Sequence, residues 1–194
     1  MKKKYELITL IAVGIFIFLF STSQNFATSS ENRPHGSQTD LPELTRNNYL
    51  MGFLNENRSN YRVSYYDINI DFDIENKSII GFVTIKAQSL KDLNRLQIDL
   101  AEDLDIKNIF FQNVELEYQR ELDAVLVEFP TTIIKDRIFE FTVNYSGTPQ
   151  NADNPPWAGG FTWSTDKNGR DWVAVSCEGE GARIWWPNKD HITA

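Results

Sequence analysis

Residues 176–191 concentrate most of the reactive chemistry in this sequence: Ser-Cys-Glu-Gly-Glu-Gly-Ala-Arg-Ile-Trp-Trp-Pro-Asn-Lys-Asp-His. Gly179 separates Glu178 from Glu180, Gly181 follows Glu180, and Arg183 and a pair of tryptophans come soon after. A carboxylate on a constrained, glycine-lined backbone suits an ammonium group, which it binds through charge-assisted hydrogen bonds. Two exposed acids are equally compatible with a solvated loop, so composition alone leaves both interpretations open.

Aromatic residues crowd the last third of the chain, where the five tryptophans are Trp157, Trp163, Trp172, Trp185 and Trp186. Aromatic side chains bury large areas, which favours packing in a core or at a domain interface. The alternative is a platform that stacks on sugar rings, as in a carbohydrate-binding β-sandwich. The sequence favours packing and keeps the sugar platform as the alternative.

Metal and nucleic-acid chemistry have little support in the sequence. Cys177 is the only cysteine, which excludes an intrachain disulfide and a metal site built on cysteines. His35 and His191 are far apart, and no His-Glu-x-x-His or similar ligand spacing occurs. The net charge of −8 argues against nucleic acid, whose phosphates select basic patches. We therefore expect no cofactor in this chain and no nucleic-acid partner.

The elements that must position these residues are short strands. Strands are predicted over residues 66–74, 79–87, 96–100, 104–110, 114–118, 124–129, 137–145, 161–164 and 171–175. Apolar residues alternate with acids and asparagine in the first of them, which predicts one buried face. A turn at 75–77 joins the first two strands as a hairpin, and a turn at 146–149 ends the seventh. With no convincing helix, the pattern indicates an antiparallel sandwich or barrel.

The N-terminus has the layout of an export signal. Residues 2–4 are lysines, and an apolar run over residues 7–20 follows them. This run is shorter than the about 20 residues that span a bilayer. We expect residues 1–27 to be a cleaved signal peptide, with an uncleaved membrane anchor as the alternative, so the protein is exported to the periplasm, envelope or exterior. Residues 28–60 are expected as a linker, with a short helical turn over 44–54.

Two parts of the chain resemble the N-terminal domain of the aminopeptidase N family of zinc metallopeptidases, which includes the leukotriene hydrolases. Residues 65–72, Tyr-Tyr-Asp-Ile-Asn-Ile-Asp-Phe, and residues 80–85, Ile-Gly-Phe-Val-Thr-Ile, are similar to its opening strands. Residues 177–191 are similar to the close of the same domain, and their Trp-Trp-Pro-Asn-Lys-Asp-His has the form of the bacterial members. The resemblance covers residues 61–191.

The resemblance implies an all-β fold, an antiparallel saddle-like β-sandwich over residues 61–191 that packs on a thermolysin-like catalytic domain. In the family, an acid or amide of the closing segment grips the free α-amine of the substrate, and that role transfers to Glu178. Glu180 matches a further family glutamate and is expected to bind substrate with it. Trp185 and Trp186 are expected at the interface with the catalytic domain. Many members carry a glutamine where this chain has Ser176, so the resemblance does not imply a second substrate contact at this position.

The catalytic motifs of the family are absent from the 194 residues. Its chemistry needs His-Glu-x-x-His and a distal glutamate for zinc, and a Gly-x-Met-Glu-Asn strand. None of these occurs in the sequence. We therefore expect the catalytic domain and its zinc to lie beyond residue 194, and this chain to be inactive alone. Its expected partners are a peptide N-terminus and that catalytic domain; the alternative is a stand-alone binding module for a carbohydrate or an envelope protein.

Overall fold

The computed structural model describes residues 43–193, which form two short helices followed by ten strands. The helices are α1, Arg46–Gly52, and α2, Glu56–Ser59. The strands are β1 Tyr61–Asp73, β2 Ser78–Ser89, β3 Leu93–Asp99, β4 Leu104–Phe111, β5 Val114–Glu115, β6 Tyr118–Glu121, β7 Ala124–Ile133, β8 Ile138–Gly147, β9 Gly160–Thr165 and β10 Asp171–Ser176. A 3₁₀ turn, Ala182–Ile184, follows β10. The expected signal or anchor at 1–27 and most of the expected linker lie outside the described residues.

Within residues 43–193 the strands form three antiparallel sheets. The largest has the order β1-β2-β8-β4-β5, the second has the order β3-β7-β6, and β9 and β10 form a hairpin. Val83 and Val143 of the first sheet and Leu96 and Val127 of the second are all fully buried in one core. Because two sheets enclose a single apolar core, the fold is an antiparallel β-sandwich, which confirms the all-β class.

β1 is less buried than its alternating sequence predicts. Tyr61 and Val63 at its start are buried, but Ile68 and Phe72 are 39% and 43% exposed. β1 is the edge of the five-stranded sheet, and within the described residues it pairs with β2 alone. This part of its apolar face therefore has a neighbouring strand on one side only. The alternation locates the strand correctly but overstates the burial of its apolar face.

The strand predicted over residues 114–118 is divided between two sheets. β5, Val114–Glu115, pairs with β4 in the five-stranded sheet, and β6, Tyr118–Glu121, pairs with β7 in the three-stranded sheet. Leu116 between them is buried, and its N–H donates to the carbonyl oxygen of Ile109 at 2.8 Å. The chain crosses from one sheet to the other here, and an alternating pattern gives no sign of such a crossing.

β8 continues through Ser146 and Gly147, where the sequence predicts a turn. Gly147 pairs with Ile79 of β2 on one side and with Leu104 of β4 on the other. A Cβ atom at this position would lie 2.5 Å from the carbonyl oxygen of Asp103. Close backbone packing inside the sheet, rather than a turn, therefore requires the glycine.

The described part of the expected linker is folded. α1 lies within the expected helical turn, and Thr45 caps it by accepting a hydrogen bond from the N–H of Asn48 at 3.2 Å. In α2, Arg58 is fully buried, and Asn60 directly after it is 6% exposed. Residues 43–60 thus belong to the domain. The sequence predicts a linker here because polar residues are usually exposed, whereas in this segment the buried side chains are themselves polar.

Candidate functional site

β10 leads into a tight loop, residues 177–181, that carries both glutamates predicted to bind substrate. The carbonyl oxygen of Cys177 accepts hydrogen bonds from the N–H groups of Glu180 at 3.2 Å and Gly181 at 2.9 Å. Gly179 and Gly181 have φ angles of +77° and +80°, which other residues adopt only at a cost. The glycines therefore allow a turn that presents two carboxylates from one short loop.

The two glutamates have different surroundings. Glu178 is exposed, and its carboxylate has no hydrogen-bond or ion-pair partner among residues 43–193. The side chain of Glu180 is 39% exposed, and one of its oxygens accepts a hydrogen bond from Arg183 Nη2 at 3.4 Å. Glu178 is therefore available to bind an external cation, whereas Glu180 already faces an internal one.

Arg183 ties the base of this loop to two other parts of the domain. Its Nε donates to Asp123 at 2.8 Å and its Nη1 donates to Asp190 at 3.1 Å, while its side chain is only 13% exposed. Burial raises the pKa of Asp190, and the charge of Arg183 opposes that rise. The sequence shows Arg183 beside the glutamates, but Asp123 lies 60 residues away in the β6–β7 turn and carries no sequence signal for this contact. Three carboxylates thus fix one guanidinium beneath the loop.

Trp185 and Trp186 are half-buried and pack largely against the domain itself. Trp186 meets Tyr66 edge to face at 4.7 Å between ring centroids, and it meets Trp185 in the same way at 6.2 Å. The hydroxyl of Tyr145 donates to the carbonyl oxygen of Trp185 at 2.9 Å. The two indoles therefore serve internal packing over much of their surface, and a smaller part of each faces outward.

The closing residues 188–190 bind to a buried ion pair that the sequence did not reveal. Arg58 Nη2 donates to Asp99 Oδ2 at 2.5 Å, and both side chains are 0% exposed. The same oxygen accepts the N–H of Asp190 at 2.9 Å, and the backbones of Asp99 and Asn188 exchange two hydrogen bonds. Burial raises the pKa of Asp99, and Arg58 acts in the opposite direction. These hydrogen bonds anchor residues 188–190, which follow the glutamate loop, to the sandwich.

Lys189 adds a third charge to this cluster. It is 3% exposed, and its Nζ donates to the carbonyl oxygens of Tyr61 at 3.0 Å and Thr193 at 3.1 Å. Nζ also lies 4.8 Å from the ring centroid of Tyr61, a cation–π distance. Burial lowers the pKa of Lys189 to about 8. Its ammonium is directed to the interior and links Thr193 to Tyr61 at the start of β1.

The described residues do not fit a catalytic zinc ion. Among residues 43–193, no group of three His, Cys, Asp or Glu side chains is placed to hold a metal, and a catalytic zinc needs three protein ligands. Cys177 is a free thiol, and His191 Nδ1 lies 3.0 Å from the hydroxyl of Thr193.

Among residues 43–193, no helix is long and apolar enough to cross a membrane.

Solved structures with a similar fold include an M1 zinc metallopeptidase and yeast LTA4 hydrolase. Yeast LTA4 hydrolase is 22% identical, with a TM-score of 0.55 over 69% of this chain and 21% of that one. An M1 zinc metallopeptidase from Deinococcus radiodurans, bound to a Tyr-Ser-Ala substrate, is 19% identical, with a TM-score of 0.51 over 68% of this chain and 30% of that one. This chain therefore spans less than a third of the length of these proteins, and identities at this level show a shared fold alone.

Sequence comparison identifies the family. A comparison with curated protein sequences gave no match. The family model of the peptidase M1 N-terminal domain, however, matches residues 62–191. These residues run from the start of β1 through the glutamate loop to the closing motif, so the match includes both segments that resemble the family in sequence. The chain belongs to the peptidase M1 N-terminal domain family.

Proposed function

We propose that this chain recognises the free α-amine of a peptide through Glu178, as the N-terminal domain of an exported aminopeptidase. The observation that carries the proposal is the exposed carboxylate of Glu178, which has no ion-pair partner among residues 43–193, on a loop whose base Arg183 fixes. A carboxylate on a fixed backbone binds an ammonium ion without first ordering the loop, which lowers the cost of binding. A structural relative was solved with a Tyr-Ser-Ala substrate, and the proposal takes a short peptide of this kind as the ligand.

Glu180 has a supporting role in this proposal. Its carboxylate faces Arg183, which offsets its charge and reduces its attraction for a second cation. We infer that Glu180 helps to orient the loop and that Glu178 provides the main contact with the amine. The two acids of the loop therefore divide between binding a ligand and holding the backbone.

The peptide chemistry itself is assigned to a separate domain that carries zinc and docks on Trp185 and Trp186. Two observations support this part of the proposal: the described residues offer no set of zinc ligands, and both indoles keep an outward-facing part. Trp186 contacts Tyr66 of β1, and Ile68 on the same face of β1 is 39% exposed, so the apolar surface continues beyond the indoles. Sedimentation with a separately produced catalytic domain should give a one-to-one complex. If the two proteins sediment separately, each at the rate that it shows alone, docking is refuted.

Export is proposed from the N-terminal sequence. Lysines at 2–4 followed by an apolar run over residues 7–20 have the order that secretion signals share. Residues 1–27 fused to a periplasmic reporter enzyme should direct the reporter across the membrane. A reporter that stays in the cytoplasm would contradict this assignment.

Glu178→Gln is expected to weaken binding of trialanine to the full chain by about tenfold or more. Glutamine keeps the shape of the side chain but loses the charge that attracts the ammonium group. Binding is measured by NMR titration of the isotope-labelled chain, which detects the weak affinities expected of half a site. N-acetyl-trialanine, which has no ammonium group, is the ligand control and should bind no more tightly to wild type than to the variant.

Glu180→Gln is the matched control variant, since it makes the same change two residues further along the loop. Its trialanine affinity should fall much less than that of Glu178→Gln, because Arg183 keeps its ion pairs with Asp123 and Asp190 when the carboxylate of Glu180 is lost. Spectra of the free variants establish that both are folded. The amine role would be lost if Glu178→Gln bound trialanine as wild type does, or if acetylated and free peptides bound equally to wild type.

A further inference from the structure

A second loop, residues 151–159, lies directly against the loop that carries Glu178. The contact is at Gly159, where a Cβ atom would lie 2.8 Å from the carbonyl oxygen of Ser176 and 3.3 Å from that of Glu178. The same atom would lie 2.8 Å from Cγ of Glu180. These distances leave no room for a side chain, so the two loops touch backbone to backbone. Side chains close to Gly159 in sequence are therefore neighbours of the candidate amine site.

Hydrogen bonds give this second loop a defined conformation. The N–H of Ala158 donates to the carbonyl oxygen of Asn154 at 2.9 Å, which closes a tight turn. The amide of Gln150 donates to the carbonyl oxygen of Gly159 at 3.0 Å. The two residues after Asn154 are prolines, whose rings fix φ and reduce the freedom of the turn. The backbone that carries the side chains of this turn is therefore defined before any ligand binds.

Trp157 is the side chain that the turn displays. It is 70% exposed, more than any other aromatic residue of the described chain. It is two residues from Gly159, so its Cα lies within about 7.6 Å of the Cα of Gly159. An indole has a large apolar surface, and leaving it in water on a rigid loop forgoes the stabilisation that burial would give. A ligand that is bound at Glu178 and extends across the loop contact at Gly159 would approach this exposed indole.

Small side chains line the hairpin surface next to this loop. Ser176, the last residue of β10, pairs with Gly160 of β9. Along β10 its side chain shares a face with Ala174, while Val173 and Val175 on the other face pack against the core. Trp172 lies on this same face further from the glutamate loop and is 52% exposed. The residues of this face nearest to Glu178 are therefore the small ones, Ala174 and Ser176.

We propose that Trp157 is a specificity-determining residue that packs against the side chain of the first residue of the peptide while Glu178 binds its amine. The ligand class is a peptide or amide that begins with an aromatic or large aliphatic residue. The α-amine and the side chain leave the same Cα atom, so the protein groups that bind them must be neighbours, as these two loops are. This inference rests on the proposed function, because it takes an amine at Glu178 as its starting point.

The test compares L-phenylalaninamide with glycinamide in NMR titrations of the full chain. Wild type should bind phenylalaninamide about tenfold more tightly, from burial of one aromatic side chain against another. Trp157→Ala should lose this preference and keep its glycinamide affinity within about twofold. Trp172→Ala is the matched control: Trp172 is also exposed, at 52%, but lies four residues before Ser176, about 13 Å along the strand, so the preference should persist.

The outcomes separate this inference from the proposed function. A preference for phenylalaninamide that survives Trp157→Ala overturns the inference, and so does a wild-type chain that binds both amides equally. Glycinamide affinity that does not respond to Glu178→Gln overturns the amine role instead. If neither amide binds, both fail. Binding that depends on Glu178, with a preference that depends on Trp157, supports both.

Discussion

Asp99→Ala is expected to lower the free energy of unfolding by about 3–5 kcal/mol, because it leaves a charged guanidinium unpaired in the interior. Arg58 and Asp99 are both 0% exposed, so water cannot replace the lost carboxylate. Asp99 also accepts hydrogen bonds from the amide of Gln97 at 2.8 Å and from the N–H of Asp190 at 2.9 Å. The substitution removes the acceptor from three donors at once, and one of them holds the closing motif.

Urea unfolding of the full chain, followed by tryptophan fluorescence, measures this loss. Glu121→Ala is the matched control, since it breaks the ion pair with Arg46, whose partners are 64% and 50% exposed, and it should leave the midpoint unchanged. The double variant Arg58→Met with Asp99→Leu should be more stable than Asp99→Ala, because no unpaired guanidinium remains buried. A loss below about 1 kcal/mol for Asp99→Ala would show that the pair is not the main anchor of the closing motif.

Gly181→Ala is expected to cost about 2–4 kcal/mol and to weaken peptide binding with it. Gly181 has φ +80° and ψ 173°, a region that almost only glycine adopts. A methyl group there would also overlap the carboxylate of Asp190, which pairs with Arg183. The backbone must then move, and the support beneath Glu178 moves with it.

Gly179→Ala separates the backbone effect from the contact with Asp190. Gly179 has φ +77°, but a Cβ atom there would meet nothing within 4 Å. Its substitution should cost only about 1 kcal/mol, the ordinary penalty for a left-handed residue. The same urea unfolding compares the two variants. Equal losses would mean that the carboxylate of Asp190 does not constrain position 181.

Strands in which apolar and polar residues alternate could be predicted from the sequence. Elements defined by contacts between distant parts of the chain could not. The β1–β2 hairpin was located because Glu75, Asn76 and Lys77 interrupt two periodic runs, and a turn at this point is a local property. The division of residues 114–118 between two sheets was missed, because the crossing depends on which strands pair with β5 and β6. The same limit explains Gly147, whose role is set by both neighbouring strands.

The candidate site shows the same division. Glu178 and Glu180 could be singled out because a glycine directly follows each of them, and the loop they form is closed by its own backbone. Asp123, which holds this loop through Arg183, could not be found, since the two residues are 60 positions apart and no motif links them. The sequence predicts Trp185 and Trp186 at an interface, and the structure places them half-buried, in contact with Tyr66 and Tyr145.

The bonds of the closing motif have a consequence for the order of events during synthesis. Lys189 binds the backbone of Tyr61 across 128 residues, and Asp190 binds Asp99 across 91. A ribosome adds about 5–20 residues per second, so Lys189 is added to the chain roughly 6–25 s after Tyr61. Until then the ion pair of Arg58 and Asp99 lacks the segment that covers it. A nascent chain that carries both sheets of the sandwich therefore still lacks its closing contacts, and it is exposed to chaperones and proteases until Lys189 and Asp190 emerge.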